Sequence, residues 1–218
     1  MAGEGYDELW QHEDFNGDGM PAVLQSHSWK TTFVGANSES IKSGSNPVGH
    51  KVNYYRGNDP EKWVTGIEPV STVGYEGVWP GVNLRMDGSS RGSKRLKYDW
   101  IVEPGGDPSC IVVRHEGTVP ELKSDGSLVH KLGSTGEIIE GAPFAFQLSG
   151  STLLEVDCHY VLTSLEDGSF EVRFELGDYN PTLNLVIDPD IAFATYIGAT
   201  QANWGFTAGS DEDGNAIA

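Results

Sequence analysis

Residues 170–176 read Phe170-Glu171-Val172-Arg173-Phe174-Glu175-Leu176, so apolar and charged side chains alternate throughout this stretch. A period of two puts one set of side chains on a buried face and the other set in water, which is typical of a half-buried β-strand. The same alternation occurs in residues 154–162 and again in residues 96–102. These stretches predict strands and indicate a fold built from β-sheets.

Tight-turn signals stand between the alternating stretches. Glycine accepts a positive φ, and aspartate can bond to its own backbone, so Asp-Gly pairs are typical of turns between strands. Such pairs occur at Asp87-Gly88, Asp125-Gly126 and Asp167-Gly168. Helical signals are limited to residues 59–63, where Asp59 can cap a short turn that begins at Pro60. We therefore predict an all-β, antiparallel sandwich-like domain of about a dozen short strands, because a single sheet would leave its apolar face in water.

The composition limits the classes of partner. The chain has 218 residues, of which 38% are hydrophobic, and this proportion is typical of a folded chain. Its 14 Lys and Arg against 32 Asp and Glu give a formal net charge of −18. Because phosphate recognition needs a basic face, we expect no nucleic-acid partner. No apolar run approaches about 18 residues, so we predict no membrane insertion.

Three regions differ in composition along the chain. Residues 1–25 are polar and acidic and are predicted to form an N-terminal arm or edge, whereas residues 26–189 carry the strand pattern of the sandwich-like domain. Residues 190–218 show a different pattern, in which we expect a strand, a turn and the start of another strand. The N-terminus lacks the basic and apolar parts of a signal peptide, and the C-terminus stops within a pattern. We therefore expect an excerpt of a longer chain.

One acidic loop matches the first half of a calcium-binding loop. Residues 14–19, Asp-Phe-Asn-Gly-Asp-Gly, place oxygen-bearing side chains at alternate positions around a turn. The candidate ligands are Asp14, Asn16 and Asp18. Gln25 stands where an EF-hand has its bidentate glutamate, so further ligands have to come from elsewhere. A Ca²⁺ site and a solvated acidic turn both remain open, and no other cofactor is expected. A second acidic stretch, residues 211–215, is more typical of a hairpin turn.

The two cysteines, Cys110 and Cys158, lie far apart in sequence. Without a Cys-x-x-Cys spacing, they give no support for a zinc site or for thioredoxin-like chemistry. Two strands of one sandwich can bring such residues together, so a disulfide is an option if the protein is exported. In a reducing compartment, both would be small core residues instead.

The other chemistry-bearing residues form no catalytic motif. His115 and His159 stand singly in predicted strands, where surface or sheet roles are expected, and neither His-Glu-x-x-His nor Gly-x-Ser-x-Gly occurs. Acidic residues are abundant, but nothing in the sequence pairs two of them across a cleft, as a glycosidase needs. Some tryptophans near turns either form a sugar-stacking platform or close the ends of the core. These are Trp63, Trp79 and Trp204.

A set of motifs in a fixed order carries a resemblance to a known family. The motifs are residues 33–37, 51–63, 73–84, 96–108, 136–143 and 185–189, from Phe33-Val34-Gly35-Ala36-Asn37 to Leu185-Val186-Ile187-Asp188-Pro189. They resemble the N-terminal domain of large, uncharacterised bacterial cell-surface proteins that precedes an array of SBBP-type, seven-bladed β-propeller repeats. The resemblance covers about residues 26–218, and the tail looks like the opening of the first repeat.

The resemblance implies a location rather than a chemistry. Similar domains belong to secreted or surface proteins, often of Bacteroidota-like bacteria, that commonly end in sorting domains for type IX secretion. No catalytic residue is carried over. The implied localisation is therefore extracellular or at the cell surface, with the downstream repeats, an extracellular glycan or a surface protein as partner.

These observations predict a non-catalytic structural or adhesive module that caps or leads into a repeat array. The first strand of such an array would otherwise leave an open edge. Two alternatives stay open. A carbohydrate-binding module would show a row of coplanar exposed aromatic rings. A glycoside hydrolase-like enzyme would show a cleft with two carboxylates about 5–10 Å apart.

Overall fold

The computed structural model describes residues 7–12, 22–55, 57–88, 97–133, 136–189, 191–192, 209–210 and 216–217. In these ranges the regular structure consists of strands and two single-turn 3₁₀ helices, Pro60–Lys62 and Pro108–Cys110, which confirms the predicted all-β class. The strands are β1 (Asp7–His12), β2 (Ala22–His27), β3 (Lys30–Phe33), β4 (Ile41–Pro47), β5 (Val52–Tyr54), β6 (Val64–Ile67), β7 (Val70–Trp79), β8 (Val82–Asp87), β9 (Lys97–Val102), β10 (Val113–Glu116), β11 (Val119–Leu122), β12 (Leu128–Lys131), β13 (Glu137–Glu140), β14 (Phe144–Ser149), β15 (Thr152–Val156), β16 (Cys158–Ser164), β17 (Phe170–Leu176), β18 (Leu185–Asp188), β19 (Ile191–Ala192), β20 (Gly209–Ser210) and β21 (Ala216–Ile217).

The strands form three larger sheets in which each pair of neighbours is antiparallel. The main sheet has the order β15-β14-β18-β9-β8-β7-β4, the second sheet has the order β16-β17-β10-β3, and the third has the order β11-β12-β13-β19. Three further pairs, β1-β2, β5-β6 and β20-β21, make two-stranded sheets. Among the described residues, no helix is long and apolar enough to cross a membrane.

The main and second sheets share one hydrophobic core. Trp100 and Ile187 of the main sheet are fully buried, and they belong to the same cluster as Val113 and Cys158 of the second sheet. Phe33 of the edge strand β3 packs edge-on against Trp100, with ring centroids 5.1 Å apart. Removal of this apolar surface from water holds the two sheets together.

The predicted strand at residues 154–162 differs in the structure. It is divided at Asp157 into β15, the edge of the main sheet, and β16, the edge of the second sheet. The chain therefore passes from one sheet to the other at this point. Leu153 and Leu154 are 50% and 42% exposed on β15, the edge strand of the main sheet, so the predicted alternation of buried and exposed side chains holds in β16 but not in β15.

The third sheet packs against the second sheet on one side and includes β19 as its edge strand. Leu128 of β12 packs with Tyr160 and Val172 of the second sheet in a smaller cluster. On the other side of β13 lies β19, with Ile139 opposite Ala192 and Glu140 opposite Ile191. The chain therefore leaves the main body of the fold as a strand hydrogen-bonded to β13.

A tight turn joins β7 to β8 at Pro80-Gly81, between the paired residues Trp79 and Val82. Gly81 has a φ of 70°, which non-glycine residues rarely adopt. A side chain there would also lie 2.9 Å from Cα of Gly106. The turn thus needs glycine both for its backbone angle and for the close approach of the next loop.

Candidate functional site

The buried face of β13 carries a carboxylate. The period of two places Ile138 and Glu140 on the same side of this strand, and both side chains are buried. A carboxylate removed from water is costly unless hydrogen-bond donors or a cation compensate for it. The hydrogen-bond donors that stabilise the Glu140 carboxylate therefore have to be protein groups.

Three donors surround the Glu140 carboxylate. His130 lies with Nε2 2.9 Å from Oε1, the Tyr98 hydroxyl donates to Oε2 at 3.0 Å, and the Tyr160 hydroxyl donates to Oε2 at 3.4 Å. His130 belongs to the third sheet, Tyr98 to the main sheet and Tyr160 to the second sheet. One carboxylate thus links all three sheets.

The network fixes the charge state of its members. Burial raises the pKa of Glu140, but the hydrogen bond and charge of His130, the charge of His115 and the hydrogen bond from Tyr98 together outweigh burial, so the pKa lies below its usual value. Burial and the neighbouring Glu140 raise the pKa of both tyrosines, Tyr98 and Tyr160. At neutral pH the carboxylate is therefore ionised, and both phenols keep the protons they donate.

A second imidazole lies beside the network. The rings of His115 and His130 meet edge to face with centroids 4.8 Å apart, and Trp29 stacks on the other ring, His130, at 6.0 Å. Nδ1 of His115 shares a hydrogen bond of 3.2 Å with the hydroxyl of Thr31. Burial and the neighbouring His130 lower the pKa of His115 to about 4, so this imidazole is neutral at physiological pH.

A cavity of about 260 Å³ opens beside these groups. Its walls are mostly aromatic and aliphatic, with the polar side chains of Thr31, His115 and Glu140 among them. The described residues that line it are Trp29, Thr31, Phe33, Leu84, Met86, Tyr98, Val113, His115 and Glu140. An apolar pocket with a few polar groups directed to one place is the usual form of a small-molecule site.

Residues 4–190 match the model of a family described as a domain of unknown function, DUF7948. The chain belongs to this family. No curated protein and no solved structure matches the chain. The DUF7948 match begins at residue 4, so it includes residues 4–25, which the resemblance to surface-protein domains left out. It ends at residue 190, immediately before β19.

The disulfide that remained an option for Cys110 and Cys158 is absent from the structure of this DUF7948 chain. Cys110 and Cys158 are both free thiols, although both contact the same hydrophobic core. Cys110 donates through Sγ to the backbone oxygen of Asp107 at 2.9 Å. Burial raises the pKa of Cys110, and it raises the pKa of Cys158 to about 12. Neither cysteine is an activated thiolate.

The tryptophans of the candidate sugar-stacking platform do not form one coplanar surface among the described residues. Trp79 is buried and donates through Nε1 to the backbone oxygen of Val34 at 3.0 Å, so it closes the core rather than facing a ligand. Trp63 is 40% exposed, but its ring meets the ring of Tyr55 at 86° rather than lying coplanar with it. Trp204 lies outside the described residues.

The candidate calcium ligands Asp14, Asn16 and Asp18 also lie outside the described residues, as does the acidic stretch 211–215. Within the described ranges, no group of three or more His, Cys, Asp or Glu residues could hold a metal ion. His159 is exposed and lies 3.1 Å from Asp157, whereas His115 is a buried member of the sheet.

Two buried carboxylates other than Glu140 have basic partners. Asp99 pairs with Arg85, and Glu171 accepts from Arg114 at 2.8 Å and from Arg173 at 3.1 Å. Glu171 departs from the simple alternation of β17, since it is buried where water was expected. These pairings satisfy the acidic groups within the sheets and do not set two carboxylates against each other across a cleft.

Glu140 and His130 did not stand out in the sequence, although a signal was present. Glu140 occupies the same face of its strand as Ile138, and His130 the same face as Leu128, so each strand carries a polar residue at a core position. Such a residue demands a buried partner. The partner tyrosines lie 42 and 20 positions away from Glu140.

Proposed function

We propose that this chain is a non-catalytic structural module of a secreted bacterial surface protein. In this role the main and second sheets form a β-sandwich that supports a β-propeller-type repeat array, which begins at about residue 190. The module holds the start of that array and presents an acidic surface outside the cell. The formal net charge of −18 favours solubility of a long exported chain.

The observation that carries this proposal is the position of β19. Its residue Ile191 lies opposite Glu140, the residue whose carboxylate links the three sheets. A strand paired with β13 at this point is held by a strand whose side chains bond to all three sheets, rather than by one isolated hairpin. An array that follows such a strand would start from a fixed direction, with one side of its first strand paired to β13.

Calorimetry of a longer chain tests the proposal. The sample contains this domain with the residues that follow it in the encoded protein, and it is compared with an Ala192→Pro variant. Proline has no backbone N–H and fixes its own φ, so it disfavours pairing of Ala192 with Ile139 of β13. We expect the variant to unfold in two separated transitions and the parent protein to unfold in coupled ones. An Ala192→Val control keeps the donor and the coupling. Identical transitions in all three proteins would contradict the proposed support.

Cell fractionation tests the localisation. Antibodies against this domain should detect the encoded protein in the medium or on intact cells of the producing bacterium. Protection from protease added to intact cells would place it inside the cell and exclude a surface role.

Carbohydrate binding is the second candidate function. Tyr54 and Tyr55 are each 58% exposed, and they lie with the exposed Trp63 on the hairpin of β5 and β6 and the 3₁₀ turn between these strands. Exposed aromatic rings of this kind stack on sugar faces. Affinity electrophoresis in polysaccharide gels is the direct test, with Trp63→Ala as the binding variant and Trp29→Ala as the control. Equal migration of the parent protein with and without polysaccharide would exclude this candidate.

A further inference from the structure

We propose that the cavity beside Glu140 binds a small organic amine in its ammonium form. The ammonium group lies between Glu140 and His115, and the hydrocarbon part lies against the aromatic wall. This binding site is distinct from the structural role of the module, because the ligand occupies the cavity next to the hydrogen-bond network of Glu140 and replaces none of its members.

The first argument is the remaining acceptor capacity of Glu140. A carboxylate has about four lone-pair sites for hydrogen-bond donors. His130 occupies one site on Oε1, and Tyr98 and Tyr160 share Oε2. One site on Oε1 is therefore left, and Glu140 is one of the residues that line the cavity. An ammonium group is a strong donor for such a site.

The second argument is the unused nitrogen of His115. Nδ1 is engaged with the hydroxyl of Thr31 at 3.2 Å, and this is the one hydrogen bond that the imidazole makes to a described residue, so Nε2 has no such partner. His115 is 6% exposed and lines the cavity. With Nδ1 protonated and donating to Thr31, Nε2 presents a lone pair. A bound ammonium group selects this tautomer, since it can donate to Nε2 and to Glu140 together.

The walls suit a cation with a hydrocarbon body. The rings of Trp29, Phe33 and Tyr98 line the cavity, and aromatic faces attract cations. Leu84, Met86 and Val113 supply the aliphatic contact surface.

The volume of the cavity and the charge of its lining residues limit the class of ligand. The volume of about 260 Å³ is just below the range of about 300–1,000 Å³ that drug-sized ligands occupy, so the occupant is small. A carboxylate among the lining groups repels anions, and among the described residues that line the cavity there is no Lys or Arg. The acidic chain as a whole, with a net charge of −18, also raises the local concentration of cations.

The test compares three probes of nearly equal shape. Benzylamine, benzyl alcohol and benzoate are titrated separately into the chain at pH 7, with isothermal calorimetry and the indole N–H signals in ¹⁵N-correlated NMR spectra as readouts. We expect benzylamine to bind at least about tenfold more tightly than benzyl alcohol, since its hydrogen bonds are charge-assisted. Benzoate should bind more weakly than either. Equal affinities for the three probes, or no binding of benzylamine at millimolar concentration, would overturn the proposal.

Two variants locate the site. Glu140→Gln should lower the affinity for benzylamine about tenfold or more and change that for benzyl alcohol about twofold at most. Glu171→Gln is the matched control, because it also neutralises a buried carboxylate of the same chain, and it should leave both affinities unchanged. Unchanged benzylamine binding by a folded Glu140→Gln variant would contradict the assignment.

Met86→Phe tests the same site without touching the network. It fills part of the cavity and should weaken the binding of both neutral and cationic probes while the near-UV circular dichroism stays native. If Glu140→Gln does not fold, this variant still decides the question. Retention of full benzylamine affinity by a folded Met86→Phe protein would show that the amine binds elsewhere.

Discussion

His130 and Glu140 lie diagonally across two neighbouring strands, with the imidazole Nε2 2.9 Å from the carboxylate Oε1. In the strand register, Leu128 rather than His130 stands directly opposite Glu140. The imidazole therefore reaches along the strand to a carboxylate that also accepts from Tyr98 and Tyr160. The diagonal contact lies within the third sheet, and the two tyrosines connect its carboxylate to the main and second sheets.

Replacing His130 by leucine should destabilise the fold strongly. The substitution leaves the buried Glu140 carboxylate with two phenol donors and no imidazole, and removing one member of a buried pair typically costs about 3–5 kcal/mol. Urea unfolding followed by circular dichroism measures the free energy of unfolding. His159→Leu is the control, since the ion pair of His159 with Asp157 is exposed, and it should change stability by about 0.5 kcal/mol at most. Equal effects of the two substitutions would contradict the role assigned to His130.

Stability should fall as the pH is lowered from about 6.5 to about 4. The pKa of His115 is lowered from 6.5 to about 4 by burial and by the neighbouring His130, so in this range the unfolded chain binds a proton that the folded chain does not. The expected slope approaches about 1.4 kcal/mol per pH unit. Glu140, whose pKa lies below 4.5, loses its contribution only below that value.

Urea titrations at several pH values measure this slope. Among the described residues, the polar groups beside His115 are His130, Glu140 and Thr31. A substitution of His115 leaves these three side chains in place and removes the titration of the His115 imidazole. His115→Gln is expected to flatten the slope between pH 6.5 and 4, whereas His159→Gln, at an exposed site, should preserve it. A slope that persists in His115→Gln would assign the pH dependence to another group.

Both thiols should remain free in the folded protein. Cys158 is buried with a pKa raised to about 12, and Cys110 donates to a backbone oxygen. We expect the same Tm with and without reductant, and slow labelling of both cysteines by a thiol reagent until the chain is unfolded. Mass spectrometry after unfolding without reductant should show two labelled thiols. An unlabelled pair would instead reveal a disulfide between Cys110 and Cys158.

Calcium binding at Asp14, Asn16 and Asp18 is a prediction that thermal unfolding can decide. A site occupied only in the folded state should add about 2.7 kcal/mol of stability at a Ca²⁺ concentration about one hundred times Kd. A chelator should then lower the Tm, and the double substitution Asp14→Asn and Asp18→Asn should abolish the difference. Glu166→Gln removes an exposed charge elsewhere and should leave the Tm difference between Ca²⁺ and chelator unchanged. A Tm that is the same with Ca²⁺ and with chelator would remove calcium as a stabiliser.

The sequence predicted local features better than the assembly of sheets. The alternation of residues 170–176 correctly predicted β17, and the cap of Asp59 before Pro60 is present, with the Asp59 side chain accepting from the backbone of Glu61 at 3.1 Å. These features depend on neighbours in sequence. They can therefore be recognised before the fold is known.

The candidate site depends on contacts that no local pattern contains. Glu140 meets Tyr98 and Tyr160 only because strands of different sheets come together around it. Likewise, the alternation of residues 154–162 does not reveal that Asp157 separates two strands of different sheets. Period-two patterns report which face is buried, but they do not report which strand lies opposite.

An engineered disulfide between β13 and β19 tests the central claim most directly. Ile139 and Ala192 are opposite partners in the register, so their Cβ atoms should lie about 4.5–5.5 Å apart, whereas Ile139 and Ile191 are offset by one residue. In chains carrying Ile139→Cys with Ala192→Cys, we expect mild oxidation to join the two engineered cysteines, as mapped by peptide mass spectrometry. The control pair, Ile139→Cys with Ile191→Cys, should remain reduced. Cross-linking of the control pair alone, or of neither pair, would contradict the pairing of β19 with β13.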